Sequence, residues 1–278
     1  MEPEGPNLSF APGPLWCILK CQDLLREGFV HRERKYPKDC ITEAICELTF
    51  APTGELDSPT IQELEQRLQE FYPVSESLVF RTLRVEVSER RSGHEVRELG
   101  QGCQLKSSDG KNVVRIAPST LSIHRLAPYD HWEAFGPRIF HVLDLLHEVR
   151  PNTRCHQLKV RYINVFHIQG VIAVENLFAG IPDSPYLDGE HLRRFSYITE
   201  SFEPDSPGRL LLTTLGSAPG NTILLDLNRV YLQVADSPSE VQAQLLESHA
   251  RIGRAFEALI TDELRATFLG AKEEHASS

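Results

Sequence analysis

Histidines, cysteines and carboxylates are the side chains here most able to do chemistry, and their spacing narrows what that chemistry can be. The sequence has eleven histidines in 278 residues. His124 and His131 flank the stretch Arg125-Leu-Ala-Pro-Tyr-Asp130, His156 and His167 bracket a strand, and His141 and His147 are six apart on a helical pattern. Six apart on a helix means different faces, and no histidine pair has the i, i+4 spacing of a helical metal site. The histidines therefore read as surface or hydrogen-bonded core residues. The six cysteines, Cys17, Cys21, Cys40, Cys46, Cys103 and Cys155, read as reduced thiols. A four-thiolate zinc site from the first four would lack the tight pairs of a zinc ribbon, so buried or incidental thiols are the better reading. No metal and no cofactor is expected.

Glu43 and Glu47 lie four apart on a strand, hence on one face. Two inward carboxylates could share a proton or a metal. A wet strand face opposite a dry one made by Ala44, Ile45 or Leu48 is the simpler expectation. The sequence contains no GxGxxG after a strand, no Walker A loop, no GxSxG, no HExxH and no EF-hand loop. A more specific cluster runs Leu121-Ser-Ile-His-Arg-Leu-Ala-Pro-Tyr-Asp-His-Trp132, together with the strand Leu158-Lys-Val-Arg-Tyr-Ile-Asn-Val-Phe166. Alternation puts Leu158, Val160, Tyr162, Asn164 and Phe166 on one face and Arg161 on the other. Asn164 is then a polar group on an apolar face and must find partners. Tyr129, His131, Trp132, Arg161 and Asn164 are the candidate binding residues. A structural tie for Asn164 and an ion pair for Arg161 are the plainer alternatives.

The elements that must position these residues follow from the periodicity. Ile41 to Phe50 alternates as a half-buried strand, and Ala51-Pro-Thr-Gly54 is a turn. A helix follows, with Ser58 as cap and Pro59 at its first position. Strands are expected at Leu78 to Ser88, Gln104 to Lys106, Val113 to Ile116 and Leu121 to Leu126, with Asp109-Gly110 as a hairpin signal. Pro128 to Val149 reads as an amphipathic helix. The second half repeats this order. It has a strand at Leu158 to Ile168 and a short helix at Val174 to Phe178. Strands follow at Phe195 to Phe202, Arg209 to Leu215 and Thr222 to Val234, and a last helix runs from a Ser237-Pro238 cap to Phe268. Residues 1–35 read as a Pro/Gly-rich disordered extension, 36–152 as a first α+β half, 153–270 as a second, and 271–278 as a frayed tail. Met1 is the only methionine, which raises the expectation of a natural start elsewhere, for example at Val30. The expected class is α+β: duplicated β-α-β4-α halves forming a curved antiparallel sheet backed by helices. This order resembles the TATA-binding-protein-like fold, a topological resemblance that implies little about function.

Charge limits the partners. The formal net charge is −10, from 29 basic and 39 acidic residues. Residues 170–278 alone hold 8 basic and 16 acidic residues, net −8. Polyanion binding needs basic surface, so nucleic acid is disfavoured. The locally basic stretch 81–125, with nine Arg/Lys against five acids, keeps it as an alternative through Arg84, Arg115 and Arg125. No run of about 18 apolar residues is present, and Leu15 to Leu19 is too short for a secretory core. The chain is read as cytoplasmic, with no membrane role.

Tyr36-Pro-Lys-Asp-Cys-Ile-Thr-Glu-Ala-Ile-Cys-Glu-Leu-Thr-Phe50 resembles the opening of a sporadically distributed family of uncharacterised bacterial and archaeal proteins, which begin near Tyr-x-x-Pro-Pro-Ile-x-Glu-Ala. Here Asp39-Cys40-Ile41 stands where that family has Pro-Pro-Ile. Further matches are Leu126 to Phe135, Arg161-Tyr-Ile-Asn164, Leu225-Asp-Leu227 and His249 to Phe268. The resemblance spans residues 36 to 268 and transfers no activity and no catalytic residue. Its sporadic distribution suggests mobile or defence-associated genes. The expected function is therefore non-enzymatic binding of another protein, basic rather than acidic. Nucleic-acid binding or processing is the alternative.

Overall fold

A computed structural model describes residues 34–88, 91–169, 174–180 and 195–271, with the side chains of 80–99 and of 207 left aside. The chain divides into the units Met1–Lys35 and Tyr36–Ser278, and every element below belongs to the second. The expected disordered extension, frayed tail and alternative start fall almost wholly on 1–33 and 272–278, outside the described residues.

The fold is mixed α+β. Among the described residues nine strands form one antiparallel sheet: β1 (Ile41–Phe50), β2 (Val74–Ser88), β3 (Arg91–Lys106), β4 (Asn112–Ile116), β5 (Thr120–Leu126), β6 (Cys155–His167), β7 (Ser196–Glu203), β8 (Ser206–Ala218) and β9 (Thr222–Tyr231). Their order is β2-β3-β4-β5-β1-β6-β9-β8-β7. Five described α-helices accompany them: α1 (Ser58–Leu68), α2 (Trp132–Val149), α3 (Val174–Leu177), α4 (Pro238–Leu259) and α5 (Asp262–Thr267).

The pleat sorts each strand into two faces, and register carries the sorting across the sheet. Cys46 pairs with Ile123 and Val160, and Ala44 with Tyr162. Tyr162 pairs in turn with Leu227. These buried residues make the closed face, where the helices dock. Glu65 of α1 accepts from Ser75, Glu247 of α4 meets Arg229, and Phe178 and Phe268, just past α3 and α5, pack edge-on against Phe166. Phe135 of α2 packs against Tyr129, which touches Tyr162. The apolar positions of α1 at Ile61, Leu64 and Leu68 are all buried, as a 3.6-residue period requires.

Several boundaries differ from the periodicity: strand β3 runs Arg91–Lys106 where only Gln104 to Lys106 is expected, β2 and β6 start earlier, at Val74 and Cys155, and three helix ends move. Helix α1 is capped by Asp57, whose carboxylate accepts from Thr60 N–H at 3.0 Å, so Ser58 is already inside the helix. Helix α2 starts at Trp132, not Pro128. The Ala127–Pro128 bond is cis, His131 sits at φ 65°, and the Tyr129 N–H donates to Asp39 at 2.7 Å instead of entering a helix. The last helix breaks at Ile260, which turns extended and bridges Phe178. Thr261 then caps α5 by accepting from Leu264 N–H.

Candidate functional site

The other face of the sheet carries no described helix, and its middle is charged. Register brings Glu43 and Glu47 of β1 beside Ser122 and His124 of β5 on one side, and beside Lys159 and Arg161 of β6 on the other. Beyond β6 stand Asp226 and Asn228 of β9. Beyond β5 stand Arg115 of β4, Gln104 and Lys106 of β3, and Glu76 of β2.

These groups form three hydrogen-bonded sets and one separate ion pair. In the first, His124 lies between a carboxylate and a hydroxyl: Nδ1 is 2.8 Å from Glu43 Oε1, and Nε2 is 2.8 Å from Ser122 Oγ. The second is a fork. Arg161 Nε and Nη2 donate to Asp226 at 2.9 and 2.6 Å, while Asn228 Nδ2 donates to the same carboxylate at 2.9 Å. The third runs outward. Arg115 Nε donates to Gln104 Oε1 at 2.7 Å, and Gln104 Nε2 and Lys106 Nζ both donate to Glu76, at 2.9 and 2.7 Å. Lys159 closes onto Glu47 at 2.6 Å.

Electrostatics follow these contacts. The hydrogen bond from His124 holds the Glu43 carboxyl below its ordinary value. Burial opposes this, and the charges of Arg115 and Arg161 reinforce it. The hydrogen bonds to Asp226 raise Arg161 further, against burial. Because ionised Glu43 can only accept, Nδ1 of His124 carries a hydrogen. In the neutral imidazole Nε2 is then an acceptor aimed at the Ser122 hydroxyl.

The residues singled out from sequence divide between the two faces. Arg161 and Arg115 belong to the open face. Tyr129, Trp132 and Asn164 belong to the closed one. The Tyr129 hydroxyl is 3.2 Å from that of Tyr162, which is 3.0 Å from His249 Nδ1, and Trp132 stacks on His249 at 4.5 Å and 7°. His131 meets the edge of Tyr129 at 6.1 Å. This junction joins the start of α2 to β6 and α4. Asn164 is buried; its Nδ2 donates to Leu225 O at 3.1 Å, and Cys40 Sγ donates to its Oδ1 at 3.3 Å. Arg125 is buried on the closed face, with Nε 3.1 Å from Asp130 Oδ1 in an ion pair that lacks hydrogen-bond geometry. Arg84 lies on β2 among the side chains left aside.

Sequence reasoning missed the set Glu43, Ser122 and His124. The signal was present in part, since Ser122 and His124 are two apart on a strand and must share a face. That β1 lies next to β5 could not be read from spacing. The cysteines are ordinary. Burial raises the thiols of Cys40 and Cys103 to about 12 and Cys155 to about 11, and pushes Cys46 up further. Cys17 and Cys21, the other half of the imagined zinc set, lie outside the described residues. Among the described residues no helix is long and apolar enough to cross a membrane.

Comparison with protein-family models finds no match, and comparison with curated proteins finds none either.

Proposed function

We propose that this chain is a protein-binding module that takes an extended partner segment along the edge strand β7. The observation that carries this reading is the exposure of that strand. Ile198 is 71% and Phe202 62% exposed, the two most exposed large apolar side chains of the described residues. Both point to the open face with Glu200 between them, because they pair with Thr214 and Leu210, and Glu200 with Leu212. An edge strand among the described residues presents unpaired backbone donors and acceptors, which a partner strand can complete. The alternation apolar, acidic, apolar fits a partner alternating apolar, basic, apolar. The net −8 of residues 170–278 points the same way.

The sheet order supports a further part of this reading, that residues 36–152 and 153–270 are two copies of one unit arranged as in TATA-binding-protein-like folds. The first strands of the two halves, β1 and β6, are neighbours at the centre. Each lies beside the last strand of its own half, β5 or β9, and the remaining strands run outward in reverse chain order. The second half has one strand fewer among the described residues.

Nucleic-acid binding has less support. Lys106, Lys159 and Arg161 are each held by a carboxylate, and Arg125 is buried against Asp130. Except at exposed Arg115, a phosphate would have to displace those partners before any counterion release could reward it.

The test compares the tagged wild type with an Ile198→Glu/Phe202→Glu variant in affinity purification from native cells at low salt. A partner protein retained by the wild type and lost by the variant is expected. Amide exchange of residues 196–203 should slow on its binding. Equal retention by both proteins, or recovery of nuclease-sensitive nucleic acid instead, would overturn the reading.

A further inference from the structure

We propose that Ser122 is an activated nucleophile that accepts an acyl group from a carboxylic ester, with His124 as its general base and Glu43 as the residue that positions the imidazole. This rests on the centre of the open face and not on the β7 edge, so the two proposals stand or fall separately.

Three observations carry it. First, carboxylate, imidazole and hydroxyl form one continuous line with both contacts at 2.8 Å, within the reach a nucleophile–base–orienter set requires. Second, the imidazole is fixed. His124 is 5% exposed on a central strand, with Ile45 and Val113 opposite it in the neighbouring strands. The ring has little freedom to leave the serine, and the ionised carboxylate sets which nitrogen faces it. Third, Arg115 is the direct cross-strand neighbour of Ser122, which places their Cβ atoms about 5 Å apart. Its side chain is exposed and its Nε donates to neutral Gln104, so among the described residues no ion pair cancels its charge.

The third point matters because, among the described residues, the backbone beside Ser122 offers no free oxyanion donor. Strand β5 is paired on both sides, to β1 and β4, so its backbone N–H groups are committed to the ladder. A developing oxyanion at Ser122 must be met by a side chain, and the Arg115 guanidinium is the charged donor beside it. Each described helix meets the sheet through the closed face, and Ser122, itself only 7% exposed, faces the other side, so an ester must reach its hydroxyl between the Glu43, Glu47 and Arg115 side chains.

The chemistry balances with water as the only co-reactant. Ser122 Oγ attacks the ester carbonyl carbon and forms an O–C bond as its proton passes to His124 Nε2. The tetrahedral oxyanion faces Arg115. Collapse breaks the bond to the leaving alkoxide, which takes the proton from Nε2 and departs as an alcohol. Water, deprotonated by the same nitrogen, then attacks the acyl-serine and releases a carboxylic acid, and Ser122 regains its proton.

The test uses the full chain and a fluorophosphonate probe, which forms a stable Oγ–P bond with expulsion of fluoride, read by intact mass and peptide mapping. A single adduct on Ser122 of the wild type is expected. His124→Gln should slow its formation about a hundredfold. Glu43→Asp should restore part of the rate that Glu43→Gln loses, which a merely structural carboxylate would not do. The wild type alone decides the matter, so misfolding of a variant cannot obscure it. If buried Ser122 gains no adduct, or gains it no faster than the exposed serines, the line is a structural hydrogen-bond chain and the proposal fails.

Discussion

Arg229 is almost wholly buried on the closed face, yet it is charged. Its side chain is 1% exposed, with Nη2 2.6 Å from Glu203 at the end of β7 and 3.3 Å from Glu247 on α4. Burial works against the guanidinium charge, and Glu247 and Glu203 more than restore it. The Tyr231 hydroxyl donates to Glu247 as well, and burial together with that bond pushes the phenol up. This cluster ties the β7 end of the sheet to α4. Glu247→Gln removes one charge but keeps an acceptor for Tyr231. Breaking a fully buried pair costs about 3 to 5 kcal/mol. Here the side chain of Glu247 is 27% exposed and Glu203 remains, so about 2 to 3 kcal/mol is the better figure. For a unit of this size that corresponds to a fall in Tm of roughly 4 to 12 °C. Adding Arg229→Met should bring stability back to within about 1 kcal/mol of the wild type, since the charge left without a partner is gone. Glu203 is then left 38% exposed and near Arg209, so it stays solvated. Thermal unfolding followed by circular dichroism reads both variants. A double variant less stable than Glu247→Gln alone would refute the reasoning, because it would mean that the pair is itself a net source of stability.

Two further outcomes are expected. Asn164→Ala removes the donor to Leu225 O and leaves buried polar groups without partners, at a cost of about 1 to 3 kcal/mol; an unchanged urea midpoint would contradict this. Glu43 is held below its ordinary 4.5 in the folded chain, so its stabilising contribution is complete above that value and is lost as pH falls through the depressed one. Glu43→Gln should therefore lose less stability than the wild type between pH 6 and pH 3, measured by urea unfolding at each pH.

The amino-acid order alone specified most of the elements, because each rests on local periods and local punctuation. The period of two in Ile41–Phe50, the Asp109-Gly110 turn with Gly110 at φ 69°, and the Ser237 cap accepting from Glu240 N–H are properties of a few consecutive residues. So is the separation of Arg161 from Asn164, which needs only the pleat. At two of the misplaced boundaries a distant group had taken over: Asp39 holds the Tyr129 N–H, and Phe178 pairs with Ile260. The candidate site was not legible for the same reason. Glu43 and His124 are 81 residues apart, and Arg161 and Asp226 are 65 apart. No local period records which strands become neighbours. That choice is made when the apolar closed faces of the central strands bury together against the helices, and the register so fixed decides which side chains meet on the open face. The charged line across the open face is a consequence of that burial. Its residue types are set by the sequence, while their meeting is decided by the tertiary structure.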